Sequence, residues 1–451
     1  MIRVVSRVAD IGICEQNELE MILSHLKAKG YLPLIRSMFS HLLKLAKVSK
    51  SGEGLEELIA KAITQYPPIY RFRRTEFSEI LGEIFITKKF IYLLTPLERK
   101  KLQASVIGYN EQKETLQKFC KDIEESFKSR LSTKKFKGIK FHWETPQFFS
   151  SKYARRTFLS FEDLLKEESS YKENLKGTKP EYSLEDIKAT EVLINSDVRR
   201  FMLRLAQVRK MSKKDATKLV KLDTINSLIS LDLMSEEYLL TCKQDQHTIC
   251  VVPSKEHITK GHMSSLRCSI CGRPFPEENL QVIYTLTKRG KKLIDGNLWM
   301  SIWITELLKK SGIEEGEIKW NLEASGEELD IMVEAFDSRL FFELKDREFG
   351  LGDAYPFVYR ITRYRGSVGV IATMDKISKD AKKFFEEEIQ RRMYPLKIKY
   401  LEGSKEIQKG IPKIIEERAL SQISKMIYPF SVRVSFDLML VVKSWLGIYT
   451  K

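Results

Sequence analysis

Two neighbouring segments between residues 329 and 345 alternate apolar and polar side chains, and this pattern constrains the fold more than any other part of the chain. A period of two predicts a pair of strands, each with one buried face. The apolar residues on those faces are Leu329, Ile331, Val333, Ala335, Leu340, Phe342 and Leu344. With a two-residue turn at Asp337 and Ser338, these residues face one another throughout. We therefore expect an antiparallel hairpin in which Ile331 pairs with Leu344.

The same register brings three charged residues onto the polar face of the hairpin. It places Asp330 opposite Lys345, with Glu343 diagonal to Asp330 at roughly 7–8 Å between backbones. Two carboxylates at that separation can share a hard divalent cation such as Mg²⁺, which prefers oxygen ligands. Such a cation activates water and neutralises a phosphodiester, and a neighbouring lysine stabilises the developing charge. The pattern favours a hydrolytic site with Glu328 as an outer carboxylate; the alternative is a surface hairpin with solvated charges.

These residues resemble the PD-(D/E)xK nuclease superfamily, which has the restriction-endonuclease-like fold, over about residues 296–402. By that resemblance Asp330 and Glu343 bind Mg²⁺ or Mn²⁺. The carbonyl of Leu344 is a further metal ligand, and Lys345 is the catalytic lysine. The resemblance implies a nuclease domain over residues 296–405.

The segments that flank the hairpin predict the element order that this superfamily shows. The expected elements are a helix at 298–310, a strand at 318–322, the two hairpin strands, a helix at 353–365, a strand at 367–373, a helix at 378–390 and a strand at 396–401. The chain departs from the family at Ser301, where relatives often carry a metal-binding Glu, and Glu306 lies about one turn further on. Candidate phosphate contacts, unless they form a solvated basic face, are Arg347, Arg360, Arg363 and Arg365.

A second signal lies upstream, where four of the six cysteines and three of the six histidines fall between residues 242 and 271. Cys268 and Cys271, followed by Gly272, have the spacing of a zinc knuckle. Structural zinc needs four ligands, and such a cluster in a chain without a secretory signal favours metal over disulfides. We expect Zn²⁺ bound by Cys242, Cys268 and Cys271. The fourth ligand is either His247 or Cys250, with His257 and His262 as further candidates.

The zinc segment interrupts a pattern similar to a winged helix-turn-helix over residues 191–295. Helical spacing covers 197–210, Ser212 is expected to cap a helix at 213–220 and Asp223 one at 224–231. The zinc module then replaces the tip of the wing. In that family the third helix enters the major groove of DNA. The residues that the resemblance assigns to DNA contact are Thr224, Asn226, Ser227 and Ser230; Lys213 and Lys214 lie in a strongly basic stretch suited to phosphate contact. Winged helices also bind proteins.

The length of 451 residues predicts about three domains, and the segments described above make the expected fold class multidomain α+β. The net charge of +16 predicts a polyanionic partner, which is expected to be nucleic acid and not membrane. Residues 1–125 are expected to form a helical region, residues 126–190 a basic and aromatic segment with a charged linker, and residues 406–451 a C-terminal extension. Without a signal peptide or a membrane-spanning run, a cytoplasmic location is expected.

These features together predict a Mg²⁺-dependent DNA endonuclease whose substrate is held by a zinc-containing winged helix. The resemblance implies a setting in defence against foreign DNA or in DNA repair. One alternative is a DNA-binding regulator in which the nuclease fold is inert. Another is a nuclease subunit that acts with a partner ATPase, since the sequence contains no P-loop, or as a homodimer.

Overall fold

In a computed structural model of the chain, the described residues are 3–10, 16–37, 82–97, 101–109, 112–130, 141–144, 176–324, 327–336, 338–364, 366–390, 396–434 and 437–445. Contacts divide the chain into two compact units, one of residues 1–168 with 413–451 and the other of residues 169–412. Among the described residues, no helix is long and apolar enough to cross a membrane. Asp337, Arg365 and most of the basic and aromatic segment lie outside the described residues.

The first unit contains a five-stranded antiparallel sheet in the order β1-β5-β4-β3-β2. Its strands are β1 (Arg3–Asp10), β2 (Leu32–Pro33), β3 (Glu83–Ile86), β4 (Ile91–Leu97) and β5 (Lys101–Gly108). Two helices, α1 (Gln16–Ala28) and α2 (Gln112–Arg130), pack on one face of this sheet. They share an apolar cluster with it that includes Leu26, Phe85 and Phe119.

The expectation that residues 1–125 are mainly helical is wrong for the described part of that region. Helix α1 was expected, but the sheet was not. The neighbours Leu93 and Leu94 in β4 are both fully buried, and they belong to two separate apolar clusters. A strand that is covered on both faces has a continuous apolar run instead of an alternation. Periodicity alone therefore does not separate such a strand from a buried helix.

The second unit begins with β6 (Lys176–Thr178) and four helices that precede and surround a small sheet. The helices are α3 (Leu184–Leu193), α4 (Ser196–Val208), α5 (Lys213–Leu219) and α6 (Leu222–Ser230). The strands β7 (Met211–Ser212), β8 (Met234–Thr241), β9 (Thr248–Val252) and β10 (Asn279–Leu286) form an antiparallel sheet in the order β7-β10-β8-β9. The three helices predicted between residues 197 and 231 are confirmed to within two residues at each end.

Two local expectations in this part of the chain are wrong. Asp223 does not cap α6, which begins at Leu222, so Asp223 lies in the first turn of the helix. The end of the expected linker is folded as β6 and α3. Helix α3 has a reciprocal capping box between Ser183 and Asp186, which satisfies backbone N–H groups at its start.

A six-stranded mixed sheet follows, in the order β15-β14-β13-β12-β11-β6. Its remaining strands are β11 (Ile318–Ala324), β12 (Glu327–Ala335), β13 (Ser338–Lys345), β14 (Val368–Thr373) and β15 (Lys397–Glu402). The helices of this part are α7 (Lys288–Ile294), α8 (Leu298–Lys310), α9 (Leu351–Arg363) and α10 (Lys379–Gln390). Every flanking element predicted between residues 298 and 401 is confirmed, with end shifts of two residues or fewer.

Two further helices follow the sheet, α11 (Gly403–Val434) and α12 (Leu438–Trp445). Ile423, Ile427 and Leu438 pack against Leu93 and Ile107 of the first unit's sheet. They cover the face opposite α1 and α2, because Leu93 and Leu94 point to opposite faces of β4. The last part of the expected C-terminal extension is therefore part of the first unit's core.

Candidate active site and metal-binding cluster

The hairpin of β12 and β13 forms as an antiparallel pair, but its register differs by two residues from the expected one. Ile331 pairs with Phe342, not Leu344, and Ala335 pairs with Ser338. The observed register also pairs Glu334 with Arg339, whose side chains form an ion pair of 2.9 Å. That ion pair favours the observed alignment. A shift of two keeps every side chain on its predicted side of the sheet.

The expectation of one buried face in each strand is also wrong for this hairpin. Met332 and Phe341 point away from the predicted apolar face, yet both are fully buried. Phe341 packs against Tyr364, which follows α9, with ring centroids 6.4 Å apart. The hairpin therefore lies in the middle of the sheet and is covered on both faces. This packing fixes the backbone of the two strands that carry the charged residues.

Asp330 and Glu343 lie side by side on β12 and β13, in the halves of these strands that are further from the turn. The observed register, continued by one pair, sets Asp330 opposite Glu343. Asp330 is half-buried, and its Oδ2 accepts a hydrogen bond of 2.6 Å from the backbone N–H of Leu344. Glu343 is only 3% exposed. Burial and then the charge of Glu343 raise the pKa of Asp330 to about 7. Such mutual repulsion is relieved by a bound cation.

Two basic side chains balance the charge of Glu343. Lys345 Nζ lies 2.9 Å from Glu343 Oε1, and Arg360 Nη2 lies 3.2 Å from Glu343 Oε2. Burial works to lower the pKa of Lys345, but the Glu343 and Asp330 carboxylates outweigh it and the net shift is upward. Lys345 is therefore a cation. We name Asp330, Glu343, Lys345 and Arg360 the carboxylate site.

Arg360 has a different position from the one expected of a phosphate contact. It is 8% exposed, and it donates hydrogen bonds to the backbone carbonyls of Glu328 and Pro356 as well as to Glu343. The sequence did hold a signal for this role. Arg360 lies beside Phe357 and Ile361 on the buried face of α9, where an unpaired charge would be costly.

The remaining residues considered for this site lie elsewhere or have other partners. Glu328 is exposed, and its carboxylate is one of the charges that raise the pKa of Asp330. Glu306 accepts a hydrogen bond of 2.6 Å from Tyr182 and pairs with Lys309. Ser301 is buried within α8. Among the described arginines of the phosphate-contact group, Arg347 is exposed and forms a two-contact ion pair with Asp353, at 2.9 and 3.0 Å.

An open cleft of about 210 Å³ reaches Lys345 and is walled on one side by α4. Arg199 on that helix is 5% exposed and forms an ion pair of 2.8 Å with Asp346, the residue that follows Lys345. The Arg199 guanidinium also donates to the carbonyls of Leu193 and Ile194, at 2.6 and 2.8 Å. Although α4 belongs to a basic stretch, this arginine therefore points into the protein and ties α4 to the strand that carries Lys345.

The second candidate site is a group of three thiols and one carboxylate between β8 and β10. The ligand atoms of Cys242, Cys268, Cys271 and Glu278 all lie within 4.8 Å of one another. We name these four residues the thiol cluster. Glu278 Oε1 lies 2.7 Å from Cys271 Sγ and raises the pKa of that thiol. Because Glu278 lies outside the segment between 242 and 271, sequence reasoning missed it.

Of the two residues expected to supply a fourth zinc ligand, His247 lies at the edge of the cluster and Cys250 in the neighbouring apolar core. His247 Nε2 is 3.9 Å from Cys268 Sγ, and its Nδ1 contacts Asp245, which raises the pKa of the imidazole. Cys250 lies on β9 opposite Leu240 and packs against an apolar cluster that contains Phe275. Further along the chain, His257 Nδ1 is 3.0 Å from Ser254, and His262 begins a short 3-10 turn.

The residues expected to contact DNA lie on the outer side of α5 and α6. Lys213, Lys214, Asn226 and Ser230 are exposed, whereas Thr224 and Ser227 are half-buried. The inner side of α6 packs through the fully buried Ile225 and Leu228. The polar residues are therefore accessible to a large ligand.

No protein-family model matches the chain, and no curated protein matches it either. Among solved structures, the chain is similar to protein VC1899 from Vibrio cholerae at 10% sequence identity and a TM-score of 0.31, over 53% of this chain and 58% of that one. The chain thus spans less than two thirds of that protein's length. It is also similar to a repair endonuclease from Pyrococcus abyssi at 12% identity and a TM-score of 0.18, over 44% of this chain and 98% of that one. Both proteins are distant structural neighbours.

Proposed function

We propose that the protein is a metal-dependent endonuclease that hydrolyses phosphodiester bonds in DNA. The observation that carries this proposal is the juxtaposition of Asp330 and Glu343 on neighbouring strands, with Lys345 at 2.9 Å from Glu343. Two carboxylates that face each other and a protonated lysine are the groups that this chemistry requires. A surface hairpin with solvated charges, the alternative interpretation, does not account for the burial of Glu343.

The donor set fits Mg²⁺ or Mn²⁺ better than a softer metal. Asp330 and Glu343 offer oxygen atoms, the proposed third ligand is the carbonyl oxygen of Leu344, and hard cations prefer oxygen. A bound cation would supply charge neutralisation at the phosphate and a lowered pKa for an attacking water.

The protein's own residues would orient and stabilise the reacting groups. The hydrogen bond from the Leu344 N–H fixes one oxygen of Asp330, which leaves the other oxygen to ligate. Arg360 holds Glu343 from the buried side, and Lys345 reaches it from the side of the cleft. In this arrangement the Lys345 ammonium stabilises negative charge on the phosphate as it develops.

In the proposal, DNA is held by the segment of residues 191–295, which acts as a winged helix. The exposed polar residues of α6 would reach base edges, and Lys213 and Lys214 would contact phosphates. Zn²⁺ bound to the thiol cluster would stabilise the loop between β8 and β10 without taking part in cleavage. The net charge of +16 supports a nucleic-acid partner.

A second candidate function is DNA binding without cleavage, and one feature of the carboxylate site favours it. Glu343 is already paired with both Lys345 and Arg360. A carboxylate that is neutralised by the protein has less need of a metal ion. In that case the nuclease fold would serve only as a scaffold.

Cleavage assays with an isosteric variant separate the two functions. Supercoiled, linear and single-stranded DNA are incubated with the full-length protein in Mg²⁺, in Mn²⁺ and in EDTA. Asp330→Asn removes the charge that binds the cation, and Asp375→Asn is the matched control because Asp375 is exposed. The nuclease proposal expects metal-dependent cleavage that Asp330→Asn abolishes and Asp375→Asn keeps. DNA binding with no cleavage under any condition supports the non-catalytic function.

A further inference from the structure

Two turns of the same construction bring the three thiols together. In the first, the Cys242 N–H donates to the carbonyl of His247 and the Gln246 N–H to the carbonyl of Cys242, both at 3.0 Å. In the second, the Cys268 N–H donates to Arg273 at 2.9 Å and the Gly272 N–H to Cys268 at 2.8 Å.

Both turns contain one residue with a positive φ at the same place, Gln246 at 64° and Gly272 at 70°. Asp245 therefore occupies in the first turn the position that Cys271 occupies in the second. The second turn supplies two thiols and the first supplies only Cys242. A four-coordinate metal at this point needs one more donor.

We propose that Glu278 is this fourth ligand and that the thiol cluster binds Zn²⁺ through three sulfur atoms and one oxygen. The ligand atoms of Glu278 and the three thiols all lie within 4.8 Å of one another. His247 instead forms a second group of close ligand atoms with Cys242 and Asp245. The carboxylate is 6% exposed, and its Oε2 accepts a hydrogen bond of 2.7 Å from the Lys243 N–H. It is therefore fixed in the cluster before any metal binds.

The charge of the cluster also favours a cation once the thiols are deprotonated. Among the described residues, no lysine, arginine or histidine side chain lies within ion-pair distance of Glu278. Three thiolates beside a buried carboxylate would repel one another strongly, and a divalent cation removes that repulsion. His247 has 31% of its side chain exposed and does not join the three thiols and Glu278 in their group of mutually close ligand atoms, so it is left outside the inner set of ligands.

This inference rests on the proposed zinc module but not on the proposed nuclease activity, so its test measures the metal directly. Zinc content and zinc K-edge X-ray absorption are recorded on the full-length protein. The expected first shell has three sulfur atoms at about 2.3 Å and one oxygen at about 2.0 Å, without the outer-shell scattering of an imidazole ring. Imidazole scattering, which would indicate His247, overturns the assignment, as does a shell of four sulfur atoms. Absence of zinc overturns the zinc module as well.

Matched variants then test the ligand independently of spectroscopy. In competition with a chromophoric chelator, Glu278→Gln is expected to weaken zinc binding by more than about 100-fold, beyond the range for residues that only support a ligand. His247→Gln is expected to weaken it by less than about 10-fold. Glu278→Cys supplies a fourth thiolate and should restore tight binding, which a purely structural role of Glu278 does not predict. Stronger loss in His247→Gln or in Asp245→Asn than in Glu278→Gln contradicts the proposal.

Discussion

The carboxylate site and the thiol cluster lie in the same unit, but the protein balances their negative charges differently. In the carboxylate site Glu343 has two cationic partners, Lys345 at 2.9 Å and Arg360 at 3.2 Å. In the thiol cluster Glu278 has a backbone N–H and a thiol as neighbours. The carboxylate of the first site therefore contacts cationic side chains, whereas among the described residues no cationic side chain forms an ion pair with Glu278, and Arg273 and Lys243 act on it only as more distant charges.

This difference in charge balance indicates which site depends on metal for its structure. The carboxylate site is built on paired strands in a buried sheet, so its backbone is fixed by β12 and β13 whether or not a cation is present. The thiol cluster is built from two turns and the residue after a 3-10 turn, with few buried apolar side chains of its own. We expect metal to be needed for catalysis at the first site and for folding at the second.

Removal of metal should produce the largest contrast between the two sites. Structural zinc contributes on the order of 10 kcal/mol to the folding of small zinc modules. After treatment with a strong chelator, hydrogen exchange should become fast at the backbone N–H groups of Cys242, Gln246, Cys268 and Gly272. The N–H groups of β12 and β13 should keep their protection. Equal loss of protection in both places would mean that the two sites depend on metal to the same extent.

Two cysteine variants reproduce that contrast without a chelator. Cys268→Ser removes a proposed zinc ligand and should give zinc-free protein with fast exchange in both turns. Cys250→Ser is the matched control, because Cys250 lies on β9 within the same module but outside the thiol cluster. It should keep full zinc content. Loss of zinc in Cys250→Ser would return that residue to the ligand set.

Lys345→Met should affect catalysis far more than structure. Loss of one group that stabilises transition-state charge typically lowers the rate by about 10²–10³-fold. The single-turnover rate of DNA cleavage should fall by that amount, while the Kd for DNA changes little. Lys376→Met is the control, since Lys376 is exposed and near the same end of the sheet. A variant with a normal cleavage rate would exclude Lys345 from the chemistry.

The fold of residues 298–402 could be predicted from the sequence because each element there carries its own local signal. Strand β12 has apolar residues on alternate positions, and α8 ends at Ser311 and Gly312, where the chain can leave the helix. The exact pairing of β12 with β13 could not be predicted, because a shift of two residues leaves every side chain on the same face. An ion pair between Glu334 and Arg339 favours one register over the other, and such a pair becomes visible only in three dimensions.

The first unit and part of each candidate site could not be predicted, since their signals are not local. β4 is apolar on both faces, so it lacks a strand's alternation. Arg360 is 17 residues from Glu343 in the sequence, and its role depends on the packing of α9 over the sheet. Glu278 joins the thiols only because β8 and β10 pair along their whole length. Long-range pairing is set by the whole fold.

Arg360→Gln should cost about 3 kcal/mol of stability, because Arg360 is the more deeply buried of the two cations that pair with Glu343, with 9% of its side chain exposed against 21% for Lys345. Chemical denaturation in buffer without Mg²⁺ and without chelator, which keeps the proposed Zn²⁺ in place, measures this loss. Added Mg²⁺ should reduce it if the cation takes over part of the charge balance. Arg363→Gln is the control on the same helix, since Arg363 is half-buried near the end of α9. Equal destabilisation by the two variants would mean that Arg360 acts only through packing on α9.

Arg199→Gln should give the smallest effect, about 2 kcal/mol, because hydrogen bonds to charged groups contribute about 1.5–3 kcal/mol each and the glutamine keeps part of the packing. The same variant should also lower the cleavage rate while metal affinity is kept. Arg199 joins α4 to Asp346, the neighbour of Lys345, and so helps to position the lysine. Arg200→Gln is the adjacent control; its ion pair with Asp197 has both side chains at least 70% exposed, and such pairs contribute about 0–1 kcal/mol. If both variants denature alike and cleave alike, α4 does not position the carboxylate site, and each site then depends on its own strands or turns alone.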